Sequence, residues 1–583
     1  MKAISNLIVI ISFIATCSAG CGNARLKNDR EATTGTAGVI LVNQLGYYPE
    51  AEKIALITTH AVDFEVVDAA SGRSVYKGIT GKPEYWPFSG DTARVADFTR
   101  VTTPGRYRVC IGGSSLCSYE FVIGNNIYND LAKASIKAFY FNRSGFEITE
   151  EFGAQWARQA GHPDTAVIIH ESAASQTRPE GTVISSPGGW YDAGDYNKYI
   201  VNSSITNYTL LLFYQLYPEY CKSLTLNIPE SRNDIPDVVD ELLYNLKWML
   251  TMQDPADGGV YHKLTNKEFG GFEMPDRATT PRYAVQKTTQ AALDFTAVMA
   301  MASRVFANDN VEELRNLSKT CLDAARKSMK WAETHPDIIY RQPKDIKTGE
   351  YGDKNLDDEL AWAKTEMALA ADDPSLTVTP DPMKIRLVTL SWNQVEMLGL
   401  ISLSLSESPG FVTLRTPATE ILMAFADTLV RKYESSPYRV SIDYFYWGSN
   451  SDVANQAMLE LIVMRLTGNK KYLPSIQGDV DYILGRNATG YCFVTGFGEL
   501  SPKHIHHRPS GSDGVPDPVP GFLAGGPNIS VLNDCGESVK RSTFPAKSYN
   551  DSECSYSTNE ICINWNAPLF FIMGAMEAER PKQ

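Results

Sequence analysis

Asp234-Ile235-Pro236-Asp237-Val238-Val239-Asp240-Glu241-Leu242-Leu243-Tyr244-Asn245-Leu246-Lys247-Trp248-Met249-Leu250 decides the fold class of the larger part of this chain. Val238, Val239, Leu242, Leu243, Leu246, Met249 and Leu250 recur at helical spacing, so one face of a helix is apolar and must be buried. Pro236 marks its start, because a proline's missing N–H costs nothing in the first turn. Similar stripes run over 289–305, 311–331, 417–433, 454–466 and 472–484, the last two ended by Gly468 and Gly485. Strands do not alternate with these helices. The reading is therefore a predominantly helical domain whose long Gly- and Pro-rich connections carry the function.

Upstream the texture changes. From Val39 to Ile123 short alternating or β-branched runs (39–42, 64–67 and 107–110) are separated by Gly, Pro, Asn and Asp, which predicts a small β-sandwich ending near Gly124-Asn125-Asn126. Two domains suit a length of 583 residues, and 43% hydrophobic with 21% charged residues is an ordinary globular composition. The formal net charge of −14 would repel nucleic acid and anionic membrane and is compatible with a neutral partner. The 9 Trp and 29 Tyr include faces on which sugar rings could stack.

The first residues read as an address. Lys2 precedes an apolar run from Leu7 to Ile14, and Ser18-Ala19-Gly20 stands before Cys21, which resembles a bacterial lipobox. In that reading 1–20 is a signal peptide, Cys21 carries lipid, 21–37 is a tether, and the protein is exported and anchored at the cell surface or outer membrane. Oxidised cysteines are then permitted: Cys110 and Cys117 flank a hairpin-like turn, and Cys535 with Cys554 is a second candidate pair. Cys221, Cys321, Cys492 and Cys562 are equally readable as buried thiols.

Three loop constellations carry chemistry. In Gly188-Gly189-Trp190-Tyr191-Asp192-Ala193-Gly194-Asp195-Tyr196-Asn197-Lys198-Tyr199, two carboxylates stand three apart among small residues. They are either a turn or helix cap or a pair that orients and deprotonates water; a calcium loop lacks its twelve-residue pattern. His504-Ile505-His506-His507-Arg508 follows Gly496-Phe497-Gly498 and groups hydrogen-bond donors for hydroxyl oxygens, with zinc ligation or a solvated loop left open. In Tyr549-Asn550-Asp551 and Tyr556-Ser557-Thr558-Asn559-Glu560-Ile561-Cys562-Ile563-Asn564-Trp565-Asn566-Ala567-Pro568, Glu560 is either satisfied by amides at a helix start or a buried acid whose pKa is raised by its aromatic surroundings.

In this order and separation the three motifs resemble glycoside hydrolase family nine endoglucanases, and the β-rich segment resembles that family's N-terminal immunoglobulin-like domain. The resemblance implies an all-β immunoglobulin-like sandwich over 38–125 followed by an all-α (α/α)6 barrel over 130–580. It also implies single-displacement, inverting hydrolysis of β-1,4-glucan backbones such as xyloglucan, mixed-linkage glucan or carboxymethylcellulose. Carried over by position, Asp195 is the general base, Asp192 helps hold the water, Glu560 is the general acid and Asp551 a supporting carboxylate. His506 and Arg508 would bind substrate, and His262, Tyr446, Trp447 and Tyr556 resemble cleft positions, with core packing the equal alternative for His262, Tyr446 and Trp447. No organic cofactor is implied; structural calcium near Asp237, Asp240 and Glu241 competes with a plain charged first helical turn. The partner is a glucan polysaccharide and the expected state a monomer.

Departures from the family pattern are Leu500, Cys492 and Cys562, none at a catalytic position. Gly161-His162-Pro163-Asp164 to His170 offers no cysteine, so the zinc site that members with this sandwich often carry is expected to be missing. Exo-action on the same fold and a catalytically dead surface glycan binder remain the alternatives. The sandwich is expected to brace the barrel rather than bind sugar.

Overall fold

The computed structural model describes residues 40–112, 114–536 and 539–580; the expected signal peptide, the expected lipidation at Cys21 and the expected tether fall outside the described residues. Two sheets form the N-terminal sandwich. One orders Ile40–Leu41, Ile54–Ile57, Asp91–Asp97 and Glu84–Trp86; the other orders Gly46–Tyr47, Phe121–Ile123, Gly105–Ile111, Asp63–Asp68 and Ser74–Ile79. Phe64, Val66, Val109 and Phe121 point inward from alternating positions and pack with Tyr47 and Phe98. Cys110 and Cys117 form a disulfide across the turn, and Cys535 is bonded to Cys554. Cys221, Cys321, Cys492 and Cys562 are buried free thiols.

The helical part is an (α/α)6 barrel. Packing runs from Ile200–Leu216 to Thr289–Phe306, Asp357–Ala371, Glu396–Leu405, Val412–Ser435 and Ser449–Thr467, then returns through Ile563–Ala578 to Ile200–Leu216. Ile200–Leu216 is buried on nearly every side, as a helix must be when it faces both the ring's interior and an outer partner. Outer helices are amphipathic instead. Asp237–Thr251 starts directly after Pro236 and buries Val238, Leu242, Leu246 and Met249. Val412–Ser435 begins five residues before the predicted Pro417, which sits inside the helix at the cost of one backbone hydrogen bond.

Short strands absent from the sequence reading interrupt the helical domain. Val183–Ile184, Val167–Ile169, Tyr283–Ala284, Lys263–Thr265 and Lys198–Tyr199 form one small sheet. At two or three residues each they are too brief to show alternation. Their effect is local: Lys198 and Tyr199, directly after the paired aspartates, are held in register with Leu264 and Lys263.

The sandwich clasps the barrel. Trp86 stacks on Tyr438 at 4.2 Å, Asp91 accepts from the Tyr438 hydroxyl (2.9 Å) and pairs with Lys547 (2.6 Å), and Asn43 donates to Asp481 (2.9 Å). Gln44 reaches further into function. Its Oε1 accepts from the amides of Glu499 and Leu500 at 2.8 and 2.9 Å, so it anchors the loop that leads into His504–Arg508.

Candidate active site

Loops at one end of the ring enclose a cavity of about 900 Å³ whose wall includes Asp192, Asp195, Glu560, His506 and Arg508. Residues 368 apart in sequence therefore share one space. The loops are laced by backbone bonds: Ile563 N to Asp192 O (2.9 Å), Arg508 N to Gly194 O (3.1 Å) and His506 N to Asn559 O (2.9 Å). Gly194 is required at this crossing, because a Cβ there would lie 2.2 Å from the carbonyl oxygen of His506.

The paired aspartates are held by side-chain donors. Asp192 accepts from Asn202 Nδ2 at 2.6 Å and from the Tyr351 hydroxyl at 2.7 Å. Asp195 accepts from Asn197 Nδ2 and, at 3.2 Å, from the Tyr199 hydroxyl. Burial and the neighbouring Asp195 push Asp192 up to about 7. Behind the loop, Asp164 pairs with Lys198 (2.7 Å) and Arg282 (3.2 Å), a buried ion network that fixes the strand following Asp195.

Glu560 is treated differently. Its Oε1 accepts from the Gly194 amide at 3.3 Å. Burial first, then the charge of Asp195, raise its pKa well above the carboxylate range despite the opposing field of Arg508. A carboxyl whose pKa is raised in this way can hold a proton to donate, and a hydrogen-bonded aspartate in the same cavity can orient and deprotonate water.

Of the remaining residues singled out in the sequence, Tyr446, Trp447 and Tyr556 line the cavity, and the Trp447 and Tyr556 rings lie 5.3 Å apart. Arg508 donates to Gly194 O and Gly270 O, and His506 Nδ1 meets Glu553 O, so both are fixed before any ligand arrives. Asp551 stands outside the lining; it accepts from the amides of Lys503 and His504 and from Asn559 Nδ2, bracing the histidine loop against the Glu560 turn.

His262 is corrected from a cleft position to a buried support. Its ring stacks on Tyr340 at 4.1 Å, bonds Thr288 and the Glu350 carbonyl, and burial lowers it to about 3. It holds the loop that delivers Tyr351.

Sequence reasoning missed Tyr351, Tyr199, Trp392, Phe269 and Asp452, all on the cavity wall. Tyr199 stood inside the quoted motif and could have been weighed as a donor. Tyr351 lies in an aperiodic loop at a φ of 49°, and only the folded chain brings it to Asp192. Cys562 lies beside the same pair, its sulfur 3.9 Å from Asp192 Oδ2 and 3.1 Å from Asn202 Nδ2.

The calcium expectation does not fit the donors. Asp237 accepts from Leu226 N and Ser231 Oγ at 2.6 Å, Asp240 from Asn233 Nδ2 at 3.0 Å, and Glu241 pairs with buried Arg143 at 2.6 Å. These carboxylates tie down a loop and a cation instead of converging. Among the described residues no group of three or more His, Cys, Asp or Glu is arranged to hold a metal ion.

An acid with a raised pKa that shares an aromatic-walled cleft with two hydrogen-bonded aspartates is equipment for breaking glycosidic bonds, and this protein is a glycoside hydrolase. The pattern of glycosyl hydrolase family 9 matches residues 128–573 and that of the cellulase N-terminal Ig-like domain residues 35–115. The chain belongs to glycosyl hydrolase family 9. It is 42% identical over 560 residues to the xyloglucan-specific endo-β-1,4-glucanase of Bacteroides ovatus, covering 92% of this chain and 94% of that protein. Endoglucanase D of Acetivibrio thermocellus is 31% identical over 549 residues, with 92% and 82% covered. A solved Bacteroides ovatus family 9 structure superposes with a TM-score of 0.84 at 41% identity, covering 93% of this chain and 99% of that one.

Proposed function

We propose that this protein is an endo-β-1,4-glucanase that cuts β-glucan backbones by single displacement with inversion. Asp195 takes the proton of the attacking water, Asp192 holds that water, and Glu560 protonates the leaving oxygen. The observation that carries the reading is the contrast in the cavity: Glu560 is half-buried with one long amide contact, whereas Asp192 and Asp195 are buried and each bound by two side-chain donors. Inversion needs space for water between base and sugar, with carboxyls roughly 6.5–9.5 Å apart, and an open cleft wall supplies room. Xyloglucan is the favoured substrate, supported by the relative specific for it; mixed-linkage glucan and carboxymethylcellulose are further candidates.

Tyr446, Trp447 and Tyr556 would stack or hydrogen-bond sugar rings, and His506 with Arg508 would stand near the cleavage point. The protein works as a monomer. Lipid attachment at Cys21 would place it on the outside of the cell, facing polymers too large to enter. The test is a reducing-sugar and product-length assay on xyloglucan, barley-type β-glucan and carboxymethylcellulose, run beside Glu560→Ala. A spread of oligosaccharides that the variant loses supports the reading. Release of a single short product supports exo-action, and binding without release of reducing sugar supports a glycan binder.

A further inference from the structure

The cavity contains an acid that the proposed chemistry does not use. Asp452 sits in the first turn of Ser449–Thr467, buried yet on the cavity wall, beside Tyr446, Trp447, Ser451 and Asn455. Lys432, the cation whose field reaches it, is itself paired with Asp443 at 2.9 Å, and among the described residues Asp452 makes no ion pair. Its neighbour in chemistry is the Tyr446 hydroxyl, which hydrogen-bonds the carboxyl. Burying an acid without a counter-ion is costly, and burial carries this one to about 7.

Its surroundings suit a sugar. Asn455 stands i+4 from Ser451 and i+3 from Asp452, all three line the cavity, and the Asn455 amide donates to Ser451 Oγ at 3.2 Å, leaving the serine hydroxyl proton free for a ligand. Trp447 is 39% exposed and presents an aromatic face in the same wall. An aromatic face receives the C–H side of a pyranose, and a carboxylate accepts from its equatorial hydroxyls.

We propose that Asp452 is a specificity-determining residue of the cleft, accepting a hydroxyl of the glucose unit stacked on Trp447 and turning away chains with anionic substituents. The inference rests on the glucanase reading above and adds a discrimination to it. Neutral β-glucan gains a charge-assisted hydrogen bond, whereas a carboxymethyl group at the same place meets a like charge in a low-dielectric wall.

The experiment compares wild type, Asp452→Asn and Asp452→Ala at pH 8 on barley-type β-glucan and on carboxymethylcellulose. For Asp452→Ala the expected KM on β-glucan rises about tenfold with kcat within about twofold. For Asp452→Asn, which keeps the shape and loses the charge, KM rises about threefold on β-glucan and falls on carboxymethylcellulose. An unchanged ratio of the two substrates in both variants, or an equal loss of kcat on both, overturns the proposal, the second outcome indicating a structural role. Titration of cellohexaose into Glu560→Gln, with and without Asp452→Ala, reads binding apart from cleavage. If wild type cleaves nothing, the catalytic reading falls, and about tenfold weaker cellohexaose binding on adding Asp452→Ala still supports the contact. Equal affinity overturns it.

Discussion

The two sides of the cleft are built by opposite means. On one side Asp192 and Asp195 each receive two side-chain donors, from Asn202 and Tyr351 and from Asn197 and Tyr199. On the other, Glu560 receives one amide at 3.3 Å and faces two negative neighbours. Donors to Asp192 oppose the burial and the neighbouring Asp195 that carry it up to about 7, whereas Glu560, with one long amide contact, is pushed well above the carboxylate range. The same functional group is thereby given two different environments within one cavity.

Removing either side is the most damaging test of that contrast. Glu560→Ala and Asp195→Ala should each lower kcat on polysaccharide by about 10³-fold or more, measured by reducing-sugar release. A milder change blurs the contrast without erasing it. Tyr351→Phe deletes one donor to Asp192 and should reduce kcat about tenfold with KM nearly unchanged, as expected for one lost hydrogen bond to a charged group.

The asymmetry also has a stability signature. Glu560 has its folded pKa raised above the unfolded value near 4.5. Above pH 4.5 the unfolded chain releases this proton while the folded chain retains it, so stability falls as pH rises toward the folded pKa. Glu560→Gln lacks that loss. Its melting temperature should match wild type near pH 4 and exceed it at pH 8, and an advantage that shrinks with pH would show that Glu560 is not held neutral.

The smallest expected effect comes from the sandwich. Gln44→Ala frees the amides of Glu499 and Leu500 and should lower the melting temperature by a few degrees, consistent with about 0.5–1.5 kcal/mol for each part-buried hydrogen bond lost. Because that loop continues into His504–Arg508, a severalfold rise in KM should accompany it. Loss of polymer binding with stability intact would instead favour a sugar-binding sandwich.

Legibility in the sequence followed period and proximity. The stripe over Val238–Leu250 is long enough to declare a helix, and the Gly-rich run places Asp192 and Asp195 three apart within eight residues, which marks them as candidates. The Cys110–Cys117 pair was readable because a turn joins its two strands, whereas Cys535 with Cys554 was only a candidate pair. The five short strands were not, since two or three residues hold no period. Tyr351 and Asp452 were silent because nothing local distinguishes a tyrosine in an aperiodic loop or an aspartate in a helix's first turn. For His262 and the acids at 237–241 the sequence left a functional and a structural reading open, and their partners, Tyr340 and Glu350 or Arg143 and Ser231, favour the structural one.

The central claim, that Glu560 is the proton donor, is tested most directly by changing the leaving group. A 2,4-dinitrophenyl cellobioside departs without protonation, so Glu560→Ala should cleave it within about tenfold of wild type while polysaccharide hydrolysis is lost, and the alkaline fall in kcat/KM should vanish. An equal loss on the activated glycoside and on polysaccharide, with the alkaline fall unchanged, would contradict the assignment.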